Sequence, residues 1–320
     1  MLIVVALGGN AVSLPGKEGN IAEQFAATRV AMHSLADLIS AGHQLVITHG
    51  NGPQVGNVMR RVEIAAHQLP GERVYPLPLD IVVADTEAGM GYMISQCLMN
   101  ELASRGIGQL VTTIITTIRV DESDPAMNHP DKPVGPFLSA TIASAHAGED
   151  GWVVKDFGKA GWRRVVPSPS PREIVELPLI RKLVNAGETI VAGGGGGIPV
   201  TRDGSGMYRG VEAVIDKDRT SSMLARELGA DRLVILTNVD RVQLNYGKPD
   251  ARELDLLAAS EAQTHLKSGE FGAGSMGPKI EAAIDFVRAG GKPGADVLIT
   301  SCERAADGFA GRTGTRIVAD

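Results

Sequence analysis

Three lysines sit beside aspartate, glycine and proline in settings suited to handling phosphate. Lys217 lies between Asp216 and Asp218 in "AVIDKDRTSS" (213–222), at an expected helix N-terminus. Lys279 follows glycine and proline in "FGAGSMGPKIEAA" (271–283), just inside another helix start. Lys132 is bracketed by prolines in "HPDKPVG" (129–135). Taken singly, each reads as a solvated surface lysine. Together, fixed ammonium groups supply what phosphoryl transfer needs, because the migrating group spreads charge over several oxygens and catalysis is mostly positioning and neutralisation. Asp218 is placed to hold Lys217 and Lys279; its plainer reading is a helix cap.

Glycine-bearing turns accompany these lysines. "LGGNA" (7–11), "HGNGPQVG" (49–56) and "GGGGGIPV" (193–200) each follow an apolar stretch. In a parallel sheet such turns share one edge, where bare amide N–H groups and helix N-termini receive anions. Gly193 to Gly197 are consecutive. Glycine loses the most freedom on ordering, so five in a row imply that something charged touches bare backbone there. Other chemistries lack their patterns. No G-x-G-x-x-G follows the first strand, and no G-x-x-x-x-G-K-[ST] occurs. "AGSMG" (273–277) has Ala273 where a nucleophile elbow needs glycine. The seven histidines show no H-E-x-x-H spacing, and no metal-ligating set is expected.

The elements that must position these residues alternate. "LIVVAL" (2–7), "QLVITH" (44–49), "LVTTIITTIRV" (110–120), "TIVAG" (189–193), "RLVILTNV" (232–239) and "ADVLITS" (295–301) read as strands, with 110–120 one long strand. Helical spacing begins at Ile21, recurs at Phe25, Met32, Leu35 and Ile39, and ends before Gly42. Another long helix starts near Asp80. Continuous aliphatic strands alternating with helices predict a mainly parallel sheet covered on both faces. Residues 121–172 break the rhythm with prolines and both tryptophans, and read as a protruding, hairpin-bearing insertion.

Bulk properties fit a cytoplasmic α/β enzyme. The chain has 320 residues and a formal net charge of -6, which argues against a nucleic-acid footprint. Hydrophobic residues make up 43% and aromatics 4%, so the core is aliphatic. Cys97 and Cys302 predict neither a disulfide framework nor a zinc site. The apolar start reads as a strand instead of a leader, and no run approaches the ~20 apolar residues that cross a bilayer.

Across essentially its whole length the sequence resembles the amino acid kinase superfamily, and within it the carbamate kinases. The resemblance rests on "ALGGNA", "THGNGPQVG", "PLD", "DPAMNHPDKPVG", "GWRRVVPSPSP", "GGGGGIPV", "EAVIDKD", "LTNV", "GSMGPK" and "GTRIV". Many relatives carry lysine two residues before the first glycine pair; here that position is Ala6. Carbamate kinases lack that lysine and draw the charge from the protruding lobe, a role the resemblance gives to Lys132.

The resemblance implies one kinase domain over 1–320, a three-layer α/β/α sandwich with 121–172 as a lid-like insertion, assembled as a homodimer. The N-terminal part would be the carbamate and dimer side, and 190–320 the nucleotide side. Lys132, Lys217, Lys279 and Asp218 would be catalytic. Gly8, Gly9, Asn10, Gly50, Asn51 and Gly52 would bind carbamate or carbamoyl phosphate. Gly194, Gly195, Lys217, Asp218, Thr237, Val239, Val242, Met276 and Lys279 would meet ATP or ADP, with Gly193 to Gly197 near the phosphates. The implied reaction joins carbamoyl phosphate and ADP to ATP and carbamate, reversibly and with Mg2+. Carbamate already presents an anionic oxygen, so no general base is required. Met127 replaces a common aromatic, and residues 84–96 and "GAGSMGPK" also depart from the commonest versions, which marks a divergent branch. Two alternatives stay open: another small-molecule kinase of the superfamily, and a non-catalytic nucleotide or metabolite sensor on the same fold.

Overall fold

Short aliphatic runs become strands because they can be buried on two faces at once. The structure, a computed structural model, describes residues 1–9, 12, 19–68, 74–272, 276–289 and 292–320. In chain order the first strands are β1 (Leu2–Leu7), β2 (Gln44–His49), β3 (Val111–Thr113) and β4 (Thr117–Arg119). They are followed by β5 (Lys132–Leu138), β6 (Val154–Asp156), β7 (Trp162–Val166), β8 (Glu173–Ile174) and β9 (Thr189–Val191). Then come β10 (Ile198–Arg202), β11 (Tyr208–Gly210), β12 (Arg232–Thr237), β13 (Val242–Leu244) and β14 (Arg252–Leu254). The last are β15 (Leu256–Ala258), β16 (Asp296–Ser301) and β17 (Thr315–Val318). The helices are α1 (Ile21–Ser40), α2 (Gly52–Gln68), α3 (Leu79–Ser104), α4 (Ala140–Glu149) and α5 (Leu177–Asn185). Beyond them lie α6 (Lys217–Leu228), α7 (Ala259–Lys267), α8 (Met276–Arg288) and α9 (Ala305–Phe309).

The main sheet has the order β15-β17-β16-β12-β1-β2-β9-β3. It is parallel except that β17 runs against β16 and takes β15 with it. Alternation along β1 divides the core between two faces. Val4 and Ala6 join Val46, Ile235 and Val297 on one face, covered by Ile180, Leu224 and Ile280 from α5, α6 and α8. Ile3, Val5 and Leu7 join Leu45, Ile47 and Val234 on the other, covered by Met32 and Leu35 from α1 and by Ile94 and Leu98 from α3. This is the three-layer α/β/α arrangement. Helix α1 starts where Asn20 accepts the Glu23 amide hydrogen at 3.0 Å and stops before Gly42, whose φ is 82°.

The segment expected to be one strand, 110–120, is two strands in two sheets. β3 joins β9 in the main sheet, whereas β4 lies between β10 and β8 in the sheet ordered β11-β10-β4-β8. The break falls at Ile114–Thr116. There Ile114 N–H donates to Val191, Thr116 Oγ1 donates back to Ile114, and Thr116 N–H donates to Glu87. A run of threonine and isoleucine carries no local signal for a turn fixed by such distant partners.

Residues 132–166 build a separate antiparallel sheet, β5-β7-β6, with α4 crossing from β5 to β6. A small apolar cluster ties it to the body: Val134 and Val166 pack with Val55 of α2 and Leu79, Val82 and Val83 of α3. At its base, β5 begins with Lys132.

Candidate active site

The N-terminus of α6 gathers the charges. Asp216 is in extended conformation (φ -71°, ψ 123°) and its Oδ1 accepts the Asp218 amide hydrogen at 2.9 Å. The helix cap is therefore Asp216, which leaves the Asp218 carboxylate for other work. Lys217 Nζ donates to Asp218 Oδ1. Lys279, from the first turn of α8, donates to Asp218 Oδ2 at 3.2 Å. Lys132 reaches across from β5 and donates to Asp216 Oδ2 at 2.8 Å. Burial opposes ionisation of Asp216, yet the ammonium groups of Lys132 and Lys217 hold it down to about 2. Three formal cations against two carboxylates leave this cluster net positive, which suits a phosphate.

The turns after β1 and β2 abut the cluster. A Cβ on Gly50 would lie 3.2 Å from Lys217 Cδ, so the lysine stem runs over this glycine on its way to Asp218. A Cβ on Gly8 would meet the Leu236 carbonyl oxygen at 2.7 Å. The amides of Gly8 and Gly50 are already used, donating to Leu236 and Leu7 at 3.0 Å each. Gly9 and Gly52 have nothing within 4 Å of a built Cβ, and their surroundings are open. Asn51 is buried; its Nδ2 donates to Thr86 Oγ1 at 2.9 Å, and its carbonyl accepts from Val55 in the first turn of α2. Asn10 lies outside the described residues.

The five glycines are explained differently from the expectation. All are buried, and Gly193, Gly195, Gly196 and Gly197 have φ between 65° and 93°. What forbids side chains is the protein itself. A Cβ on Gly194 would lie 2.3 Å from His49 Nε2, on Gly195 2.2 Å from Asn51 Nδ2, on Gly196 2.1 Å from the Ile215 oxygen, and on Gly197 2.3 Å from Ile118 Cγ1. Four of the amides are bonded internally. Gly193 N–H donates to Thr116 Oγ1 at 2.8 Å and Gly194 N–H to Glu87 Oε1 at 3.0 Å, while Gly196 and Gly197 donate to Gly193 and Gly194. The run is a tight floor under the β2 turn.

Two titratable groups missed in the sequence are packed into that floor. Burial, partly offset by a hydrogen bond to Gly50 and reinforced by nearby Lys217, holds the His49 imidazole down to about 4. Burial pushes the Glu87 carboxyl up to about 8, against the hydrogen bonds from Gly194 and Thr116 and with help from Glu176. His49 opens the glycine turn at 49–56, but nothing local marks its burial, and no local pattern marks Glu87.

A cavity of about 390 Å³ opens beside the lysines. Gly8, Gly9, Lys217, Thr237, Val239, Arg241, Met276 and Lys279 line it, together with Gln243, Tyr246 and Glu270, which the sequence did not single out. Its size is in the range of small-molecule sites. Val242 is not part of it: the side chain is wholly buried and its N–H donates to Thr315 Oγ1 at 2.8 Å. Gly194 and Gly195 lie against His49 and Asn51 and do not line the cavity. A larger cleft of about 690 Å³, between α2, α4 and residues 74–78, holds none of the three lysines, so size alone does not locate the chemistry. No group of three or more His, Cys, Asp or Glu among the described residues could hold a metal ion.

A parallel sheet with glycine turns on one edge, facing lysines bridged by an aspartate, defines a small-molecule kinase. The chain belongs to the amino acid kinase family, which it matches over residues 1–300. It is 45% identical to the carbamate kinase of Thermococcus kodakarensis over 320 residues, covering 99% of this chain and 98% of that one. A crystal structure from Aeropyrum pernix K1 superposes with a TM-score of 0.93 at 43% identity, covering both chains completely. The carbamate kinase of Giardia lamblia bound to AMP-PNP has a TM-score of 0.91 at 39% identity, covering all of this chain and 98% of that one.

Proposed function

We propose that this chain is a carbamate kinase, moving a phosphoryl group reversibly between carbamoyl phosphate and ADP to give carbamate and ATP. The observation that carries the reading is the bridging of Lys217 and Lys279 by Asp218 beside the cavity, with Lys132 docked on the adjacent Asp216. Near full-length similarity to carbamate kinases supports it. ADP would occupy the cavity, with its phosphates towards Lys217 and Lys279. The acyl phosphate would lie on the Gly8–Gly9 and Gly50–Gly52 turns. Lys132, carried on the insertion, would neutralise the phosphoryl group in flight as a lid group. Attack by the anionic carbamate oxygen needs no base, and Glu270 is the one histidine or glutamate among the described residues that line the cavity.

Magnesium enters as part of the nucleotide. The two aspartates at the site are already engaged by lysines, and among the described residues no group of three or more His, Cys, Asp or Glu is placed to cage an ion. Such an ion would add charge neutralisation to that of Lys132, Lys217 and Lys279. We read the molecule as a cytoplasmic homodimer; none of the described helices is long and apolar enough to cross a membrane. Exposed Ile81 and Tyr92 on α3 offer apolar surface for a second copy.

The deciding experiment is ATP formation by the purified protein from ADP and a panel of acyl phosphates. Turnover with carbamoyl phosphate is expected. Turnover only with another donor, or ADP binding without transfer, overturns the reading. A monomer in sedimentation at micromolar concentration would reject the dimer.

A further inference from the structure

Among the described residues, three ion pairs join the segment 132–166 to the body of the molecule: Lys132 with Asp216, Arg164 with Glu212, and His146 with Glu63. The last two are the ends of one chain of contacts. Glu212 Oε1 accepts the Leu79 amide hydrogen at 2.8 Å, at the start of α3, and its Oε2 accepts from Arg164 Nη2 at 2.6 Å. The Arg164 guanidinium lies over the Trp152 ring, 4.7 Å from its centre. Trp152 stacks on His146 with ring centres 4.1 Å apart and planes 12° from parallel. His146 Nε2 lies 3.3 Å from Glu63 Oε1 of α2. The chain leaves the body at Glu212, crosses the insertion through β7, Trp152 and α4, and returns to the body at α2. The turn after α4 makes the stack: Gly151 has φ 67°, and Trp152 N–H donates to the His146 carbonyl at 3.2 Å. Glu212, Arg164, Trp152, His146 and Glu63 all line the cleft of about 690 Å³, so the chain spans the gap between insertion and body.

The partners of the imidazole decide its charge. Nδ1 lies 2.6 Å from Asp150 Oδ2, while Nε2 faces Glu63. An ionised carboxylate only accepts and a neutral imidazole carries one N–H, so both bonds exist together only in the imidazolium. Burial opposes that charge, but the hydrogen bonds to Asp150 and Glu63 outweigh it and raise the imidazole above its ordinary 6.5. The remaining charged groups at the cleft are Glu149 of α4, which favours the imidazolium, and Arg164 of β7, which is neutralised by Glu212. We propose that His146, as an imidazolium between Asp150 and Glu63 and stacked on Trp152, is a positioning residue that clamps the insertion to α2 and so seats Lys132 for the reaction. The catalytic half rests on the function proposed above. The mechanical connection is short. Lys132 opens β5, and two residues on, Val134 pairs with Arg164 of β7. A tilt of this small sheet therefore carries Lys132 with it. At its base the apolar contacts of Val134 and Val166 are non-directional, which leaves the tilt to the directed contacts of the clamp.

The clamp is complete below pH 6.5 and is lost as pH rises through the raised value, which gives its test a shape that packing alone does not have. His146→Phe keeps a ring on Trp152 and removes both donors. In steady-state ATP formation its kcat is expected about fivefold below wild type near pH 6, the scale of one half-buried charge-assisted bond, and to converge on wild type by about pH 9. Other titrations, that of Glu87 among them, are common to both proteins and cancel in the ratio. KM for ADP should stay within about twofold, because His146 does not line the cavity proposed for ADP. In a Lys132→Ala background the same substitution should change kcat by less than about twofold, since the clamp acts through Lys132. A ratio independent of pH, or a full fivefold loss without Lys132, overturns the proposal. Nitrogen-15 NMR of the imidazoles gives a readout without substrate. His146 should titrate above 6.5 in the wild type and lower in Glu63→Gln, whose amide leaves the imidazolium without its counter-charge. A wild-type His146 that titrates at or below 6.5 sinks the clamp even if catalysis is normal. A wild type with no carbamoyl phosphate turnover overturns the functional reading instead, and the NMR titration still decides the clamp.

Discussion

Lys132 Nζ lies 2.8 Å from Asp216 Oδ2, so the cation carried by the insertion is docked on the residue that caps α6 and begins the lysine cluster. A group from a small separate sheet is thereby brought to the main-sheet edge without belonging to it. Lys132→Ala should lower kcat by roughly 100-fold, the scale of one transition-state electrostatic contact. ADP affinity measured by calorimetry should stay within about twofold, because Lys132 does not line the cavity proposed for ADP. Parallel loss of both would move Lys132 into the nucleotide site.

Lys217 and Lys279 share one buried carboxylate, and that sharing predicts non-additive mutants. Lys217→Ala and Lys279→Ala should each lower kcat by at least ~100-fold. Asp218→Asn should approach the same loss, since both lysine tips lose their anchor. The double variant Lys279→Ala with Asp218→Asn should then be much less impaired than the product of the two. Full multiplicativity in kcat would mean that Asp218 acts independently of Lys279.

Much of this was readable from the chain because burial on two faces writes itself as unbroken aliphatic runs. β1, β2, β12 and β16 are such runs, and they form the middle of the sheet. Lys217 and Lys279 were readable because charge beside proline, glycine and aspartate is locally visible, whereas Lys132 took its role only from the family resemblance. What was not readable depends on partners distant in sequence. The turn at Ile114–Thr116 is set by Val191 and Glu87, so a β-branched run hid it. Val242 sits in a stretch with cavity-lining neighbours, yet its side chain is buried in the core. The demand for glycine at 193–197 was legible, but not its source: the obstructing atoms belong to His49, Asn51, Ile118 and Ile215.

The glycine floor makes a contrast testable within one motif region. A methyl on Gly195 would lie 2.2 Å from Asn51 Nδ2, at a φ of 68° that side chains avoid. Gly195→Ala should therefore destabilise by about 2 kcal/mol or more, from backbone strain and overpacking. Gly52 has nothing within 4 Å of a built Cβ. Gly52→Ala should leave Tm close to wild type and express itself in KM for the acyl phosphate. Differential scanning calorimetry on the two variants checks this, and a Tm loss at Gly52 matching that at Gly195 would refute the packing account.

The buried acid also predicts how stability varies with pH. Glu87 is raised from 4.5 to about 8, so between these values the folded state keeps a proton that the unfolded state releases. Its contribution is complete below 4.5 and is lost as pH rises towards 8. His49, lowered from 6.5 to about 4, works the other way: its contribution grows from pH 4 to 6.5 and is constant above. Between pH 6.5 and 8 only Glu87 of the two is active, and the decline should be about 2 kcal/mol, from about 1.4 kcal/mol per pH unit. His146 adds its own fall with rising pH, because Asp150 and Glu63 hold its pKa up despite burial. The comparison is therefore wild type against Glu87→Gln, in which the His146 contribution cancels. The difference in unfolding free energy, from urea melts at pH 6.5, 7.25 and 8, should shift steadily in favour of glutamine. A difference independent of pH would mean that Glu87 is already ionised in the folded molecule.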